Sequence, residues 1–105
     1  MINFVTGATG FVGQRLLPKI EGKIKILSRK PHPELETVVC DLITETIPET
    51  ALADVYTIFH LAGFTHDSRD ASKVEHLYRS LNVDATLHLA ELAVSSGVSR
   101  FVFVS

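Results

Sequence analysis

Three glycines at a spacing of three, Gly7, Gly10 and Gly13, are the residues of this chain best placed to do chemistry. They lie between the apolar run Ile2–Val5 and an apolar set at helical spacing, Phe11, Val12, Leu16, Leu17 and Ile20. The run reads as a buried strand and the set as one face of a helix. A strand, a glycine turn and a helix N-terminus present free backbone N–H groups and the positive end of a helix dipole, which suits a phosphate. Each glycine then serves differently, one for a backbone bend, one for close approach of a diphosphate, and one for tight packing of helix on strand. The alternative is an ordinary strand-to-helix turn whose glycines serve packing alone.

The other candidates stand where further strands should end. Lys23–Ser28 alternates and then turns apolar, which predicts a second strand. The residue closing that strand normally chooses between nicotinamide cofactors, an acid holding the ribose 2′-hydroxyl and an arginine accepting a 2′-phosphate. Ser28-Arg29-Lys30 contains no acid, which favours NADP(H) over NAD; the alternative is that Arg29 and Lys30 are solvated loop charges. Asp41 follows a third predicted strand, Glu36–Cys40, and could accept a hydrogen bond from an adenine amino group or cap the next turn. Leu61, Ala62 and Gly63 end a fourth strand that begins at Val55, at a point where small residues let the backbone pass close to a nicotinamide ribose. Asn82, in a long helix nearby, could bind that loop or the cofactor, or act as a structural bridge.

Other chemistries find little support. His60 and His66 share a region but lack the spacing of metal ligands, and His60 reads as a hydrogen-bonded residue near a sheet end. No Gly-x-Ser-x-Gly elbow supplies a hydrolase nucleophile. Cys40, the sole cysteine, reads as a small core residue; it excludes an internal disulfide and suits a reducing cytoplasm. Ten basic and twelve acidic residues among 105 leave a net charge of −2, with no basic stripe for nucleic acid. No apolar stretch reaches membrane-spanning length.

Several elements must hold these residues in place. The first helix should run from about Gly10 to Ile20, with a kink or early finish at Pro18 and Gly22 as its C′ glycine. Residues 29–35, with Pro31 and Pro33, predict a loop, and 43–54 an irregular segment with one helical turn after Pro48. A long helix is expected over about Ala71 to Ser96, opened by a Ser72/Glu75 capping box. Val74, Leu77, Leu81, Ala85, Leu89 and Leu92 form its stripe, and Gly97 its end. Arg100–Val104 predicts a fifth strand. Strands alternating with crossovers imply one α/β domain over 1–105, a Rossmann-type parallel sheet with flanking helices in the order 3-2-1-4-5. The fifth strand is strongly apolar and a buried parallel strand needs cover, so the sheet is expected to be incomplete and the chain to be the N-terminal part of a longer one.

Taken together, the motifs resemble the extended short-chain dehydrogenase/reductase superfamily, in its nucleotide-sugar epimerase/dehydratase branch. The matching stretches are Thr6 to Gly13, Asp41-Leu42, His60 to Gly63, Asn82-Val83 and Phe101 to Ser105, in the family's order. The resemblance implies that Gly7, Gly10, Phe11 and Val12 line the pyrophosphate, with Thr9 and Gly13 in the same cofactor-binding turn. It implies Asp41 and Leu42 at the adenine, Leu61, Ala62 and Gly63 toward the ribose and nicotinamide, and a cofactor-side role for Asn82. It further implies reversible hydride transfer on a UDP-sugar, with 4-epimerases the nearest type, and a homodimer formed through the helix over 71–96, part of whose surface should stay apolar and exposed. The family's Tyr-x-x-x-Lys pair is missing, for Tyr56 is followed four residues on by His60 and Tyr78 by Asn82. No catalytic residue is therefore assigned, and this stretch alone should be inactive. A non-catalytic NAD(P)-binding redox sensor is the alternative reading.

Overall fold

The structure, a computed structural model, describes residues 1–61 and 71–104, with side chains from residue 83 onward in the second stretch. Five strands, β1 (Ile2–Thr6), β2 (Lys23–Ser28), β3 (Glu36–Val39), β4 (Val55–Leu61) and β5 (Arg100–Val104), form one sheet. All neighbours are parallel and the order is β3-β2-β1-β4-β5, as the pattern predicts. Thr6 stands opposite both Leu27 and His60, so β1, β2 and β4 end along one edge. That edge gathers Ser28, Arg29, Asp41 and Leu61 among the strand-end candidates.

Alternation along the central strands divides the core between two faces. Phe4, Leu27 and Ile58 point to one side, where Leu52, Leu89 and Ala93 cover them. Val5, Ile26 and Leu61 point to the other, beneath Ala8, Leu16, Leu17 and Ile20. Two apolar faces require two covering layers, and the helices supply them. Cys40 is buried in the first cluster, as expected for a small core residue, and burial raises its thiol pKa, with help from Glu45 and Asp41.

The first helix, α1, is shorter than the periodicity predicts: it spans Phe11–Leu16 and tightens into a 3₁₀ turn over Leu17–Lys19. Pro18 is the reason, since it has no N–H to continue the α-helical ladder. Gly22 is correspondingly not the C′ residue. It lies beyond the capping residue Ile20, with φ +96°, and its bare α-carbon lets the chain pass the Met1 carbonyl, to which Lys23 N–H donates at 3.2 Å. Asn3 holds the same crossing by donating to the Glu21 carbonyl at 2.9 Å, a buried polar role inside an apolar strand that periodicity does not reveal. β3 stops at Val39 rather than Cys40, although Cys40 N–H still reaches the Ser28 carbonyl at 2.9 Å. A 3₁₀ turn over Glu49–Leu52 follows Pro48, where one helical turn is expected.

The long helix α2 spans Ala71–Ser95 and therefore begins ahead of Ser72. The Ser72 and Glu75 side chains of the expected capping box lie outside the described residues, as do Val74, Leu77 and Leu81 of the stripe. Ala85 and Leu89 are buried and Leu92 is half-buried, as the stripe requires. At its end Gly97 takes φ +77°, while Gly97 N–H bonds the Val94 carbonyl and Val98 N–H the Ala93 carbonyl. This Schellman closure satisfies carbonyls that the helix would otherwise leave open. On the outermost strand, Val102, Phe103 and Val104 are exposed.

Gly97 and Gly13 separate two uses of glycine. A Cβ at Gly97 meets nothing within 4 Å, so Gly97→Ala carries only the left-handed backbone penalty, about 1–2 kcal/mol. A Cβ at Gly13 would collide with the Gly7 and Ala8 carbonyls, so Gly13→Ala should lose more than about 3 kcal/mol, beyond ordinary overpacking. Urea unfolding of both variants tests this, and equal losses would show that α1 does not rest on the turn.

Candidate functional site

The glycine turn is built by contact with β4. Gly7 adopts φ +70°, and a Cβ there would fall on the Leu61 carbonyl oxygen. Only glycine permits both the bend and the approach. Gly10 N–H then donates to the Gly7 carbonyl at 3.1 Å, and Gln14 Nε2 to the Thr9 carbonyl at 3.0 Å, which closes the turn from below. Gly10 is the N-cap of α1, with extended backbone and no side-chain cap. The first-turn N–H groups of a helix have no intrahelical partner, and here Thr9, Gly10, Phe11 and Val12 are all exposed. No side chain hydrogen-bonds the N-cap of α1. Phe11 is 75% exposed and carries the Arg15 guanidinium over its ring at 3.7 Å, a cation–π contact that holds both side chains to one flank of the helix.

At the end of β2, Ser28 is half-buried and its Oγ accepts the Lys30 N–H at 3.3 Å; Arg29 is exposed. Beyond β3, Asp41 does act as a turn cap: its Oδ1 accepts the Ile43 N–H at 3.0 Å, while its own N–H donates to Glu45 Oε1 at 2.8 Å. Leu42 is half-buried against the core. It also borders an open recess of 470 Å³ between residues 42–49 and α2, with Ile43, Thr46, Asp84 and His88 among its walls. Leu61 is buried. Ala62 and Gly63 lie outside the described residues. Asn82 sits in α2, with its side chain outside the described residues.

His60 is the buried polar centre of this edge. It is 1% exposed; Nδ1 pairs with Thr6 Oγ1 at 2.6 Å and Nε2 with Thr86 Oγ1 at 2.9 Å. Phe101 and Phe103 pack against its ring at centroid distances of 6.0 and 5.5 Å. Hydroxyls both donate and accept, so a neutral imidazole is satisfied at both nitrogens. Burial lowers its pKa to about 4. The hydrogen-bonded role expected for His60 is thus observed, but its partners are not legible in sequence, since Thr6 and Thr86 are far apart along the chain. Among the described residues, no group of three or more His, Cys, Asp or Glu side chains could hold a metal ion.

The pattern of the NAD dependent epimerase/dehydratase family matches residues 3–105. A 3-beta-hydroxysteroid dehydrogenase from Mycolicibacterium neoaurum is 34% identical over 96% of the chain and 31% of its own length. A UDP-glucose 4-epimerase from Vibrio cholerae is 32% identical over 96% of the chain and 33% of its own length. The solved structure of MoeE5 in complex with UDP-glucuronic acid and NAD superposes with a TM-score of 0.82 at 31% identity, covering 100% of this chain and 36% of that one. The chain thus spans about a third of the length of these relatives.

The His60 arrangement has a pH signature. The folded state holds this imidazole neutral down to about pH 4, whereas an unfolded chain binds the proton near 6.5. Stability contributed by neutral His60 is therefore present above pH 6.5 and is lost as pH falls toward 4. Denaturant midpoints measured across that window should decline more steeply for the unchanged chain than for His60→Asn. Parallel curves would show that His60 does not titrate on unfolding.

Proposed function

The chain belongs to the NAD dependent epimerase/dehydratase family, and on that footing we propose that it forms the coenzyme-binding part of an NAD(P)-dependent nucleotide-sugar epimerase, dehydratase or reductase. The observation that carries the reading is the uncapped turn at Gly10: exposed, without a side-chain hydrogen bond at its cap, and lined by N–H groups that α1 cannot satisfy. A diphosphate fits such a cradle. Phe11 and Val12 N–H would hold it, with Gly7 and Gly13 allowing the close approach. Ser28 and Arg29 would meet the adenine-side ribose, Asp41 and Leu42 the adenine, and Leu61, Ala62 and Gly63 the nicotinamide side, with Asn82 near them. When bound, a nicotinamide coenzyme supplies a reversible hydride acceptor. Arg29, exposed just beyond β2, favours NADP(H), whereas MoeE5 was solved with NAD.

The enzyme reading is supported over a regulatory one by relatives named as a dehydrogenase and an epimerase. A UDP-sugar substrate, with 4-epimerisation as the leading reaction, is supported by the Vibrio cholerae enzyme and by the UDP-sugar complexes of MoeE5. The catalytic proton transfer is not assigned to this stretch. Tyr56 lies at the start of β4, at the end of the sheet opposite the glycine turn. No described helix is long and apolar enough to cross a membrane. A cytoplasmic location belongs to the same proposal, and the reducing conditions there suit the lone Cys40 thiol.

The outer face of α2 supports the homodimer. Val83, Leu87 and Val94 are exposed, spaced so that they share one side of the helix, opposite buried Ala85, Leu89 and Ala93. The expected apolar surface is present.

Two experiments test this reading. NADPH at a hundredfold excess over its Kd should stabilise the chain by about 2.7 kcal/mol in a melting assay, and NADH by less. Gly10→Asp should preserve the fold, since aspartate is itself a good N-cap, yet abolish that stabilisation by placing a carboxylate where the diphosphate would sit. Stabilisation that survives in Gly10→Asp would remove the turn from the proposal, and equal shifts with both coenzymes would remove Arg29. Sedimentation should show a dimer that Leu87→Glu converts to a monomer whose circular dichroism spectrum is unchanged; an unchanged sedimentation coefficient would exclude this face.

A further inference from the structure

The loop from β2 to β3 leaves Ser28, carries Arg29 and Lys30, and then turns back through Pro31-His32-Pro33-Glu34-Leu35. Proline has no N–H, so His32, Glu34 and Leu35 are the only backbone donors in that return. All three are taken by side chains. Glu34 N–H and Leu35 N–H both donate to His32 Nδ1, at 3.0 and 3.2 Å. His32 N–H donates to Thr37 Oγ1 at 3.1 Å, and that hydroxyl donates on to the Leu35 carbonyl at 2.9 Å. Leu35 in turn packs on the core beneath α1. One imidazole nitrogen thus closes the loop on itself, and one threonine fastens it to β3.

We propose that His32 is a positioning residue for recognition of the adenine-side ribose of the coenzyme, acting through the path it imposes on Arg29 and Lys30. The inference rests on the coenzyme reading of this edge and adds to it a residue whose hydrogen bonds all go to its own loop and to Thr37. The acceptor does the positioning. With the two amides tied to Nδ1, the chain leaves Ser28 and returns to Glu36 by one route, so the exposed Arg29 starts from a fixed backbone. Without an acceptor at that atom, the two N–H groups turn to water and the prolines alone do not specify the return. Asparagine offers a carbonyl oxygen the same number of bonds from the backbone as Nδ1, and such side chains make equivalent turns. Alanine offers none.

The test compares the unchanged chain with His32→Ala and His32→Asn, using NADPH and NADH titrations together with hydrogen exchange at the Glu34 and Leu35 amides. His32→Ala should weaken NADPH binding about tenfold, equivalent to one lost hydrogen-bonded constraint, and speed exchange at both amides. His32→Asn should restore binding to within about twofold and restore amide protection. NADPH binding by His32→Ala equal to that of the unchanged chain overturns the proposal, as does an asparagine variant as impaired as the alanine one. If the unchanged chain binds neither coenzyme, the reading of the edge fails and takes this inference with it, whereas normal binding with no effect of His32→Ala refutes this inference alone.

Discussion

The fold depends on how closely the chain leaving β1 passes the end of β4. Parallel neighbours must lie side by side for their ladder to form, and the chain at Gly7 runs against the Leu61 carbonyl with no room for a side chain. The left-handed bend there turns the backbone sharply enough that Gly13 can press α1 onto the Gly7 and Ala8 carbonyls. Strand spacing, bend and helix seat are therefore one constraint. It also aims the helix N-terminus at the edge where β1, β2 and β4 end.

That edge shows a contrast in how backbone groups are satisfied. After β2, His32 and Thr37 take the loop amides; after β3, Asp41 and Glu45 take theirs. Under the edge, His60 joins β1 to α2 through two threonine hydroxyls and leaves neither ring nitrogen unpaired. The N-cap of α1 at Gly10, by contrast, has no side-chain hydrogen bond. Unmet helix N–H groups beside turns that meet their own needs are what an anion site requires. The same logic explains why Asp41 is a poor guide to a ligand by itself: one carboxylate oxygen already serves its own turn.

Helix α2 has two apolar sides with different roles. The inner side closes the core with small and medium residues, Ala85, Leu89 and Ala93, which let the helix lie close to the sheet. The outer side exposes Val83, Leu87 and Val94. A periodicity argument registers the inner stripe because it is continuous. It cannot assign the outer residues to solvent or to a partner, since hydrophobicity is the same in both settings.

Local chemistry made much of the molecule legible in advance. Strands β2 and β5 fall where alternation and apolar runs place them, Pro18 ends the α-helix because it lacks a donor, and Gly97 closes α2 because its φ is left-handed. Strands alternating with crossovers imply a parallel sheet, the Rossmann pattern gives its order, and the glycine spacing announces the turn. Other features depended on distance across the chain. That Gly22 serves a crossing at Met1, that Asn3 holds that crossing, and that His60 finds Thr6 and Thr86 were decided only when the elements packed. The physical reason is that propensity and periodicity act over a few neighbouring bonds, whereas a polar side chain's partner is whatever the folded chain brings within hydrogen-bonding reach of it.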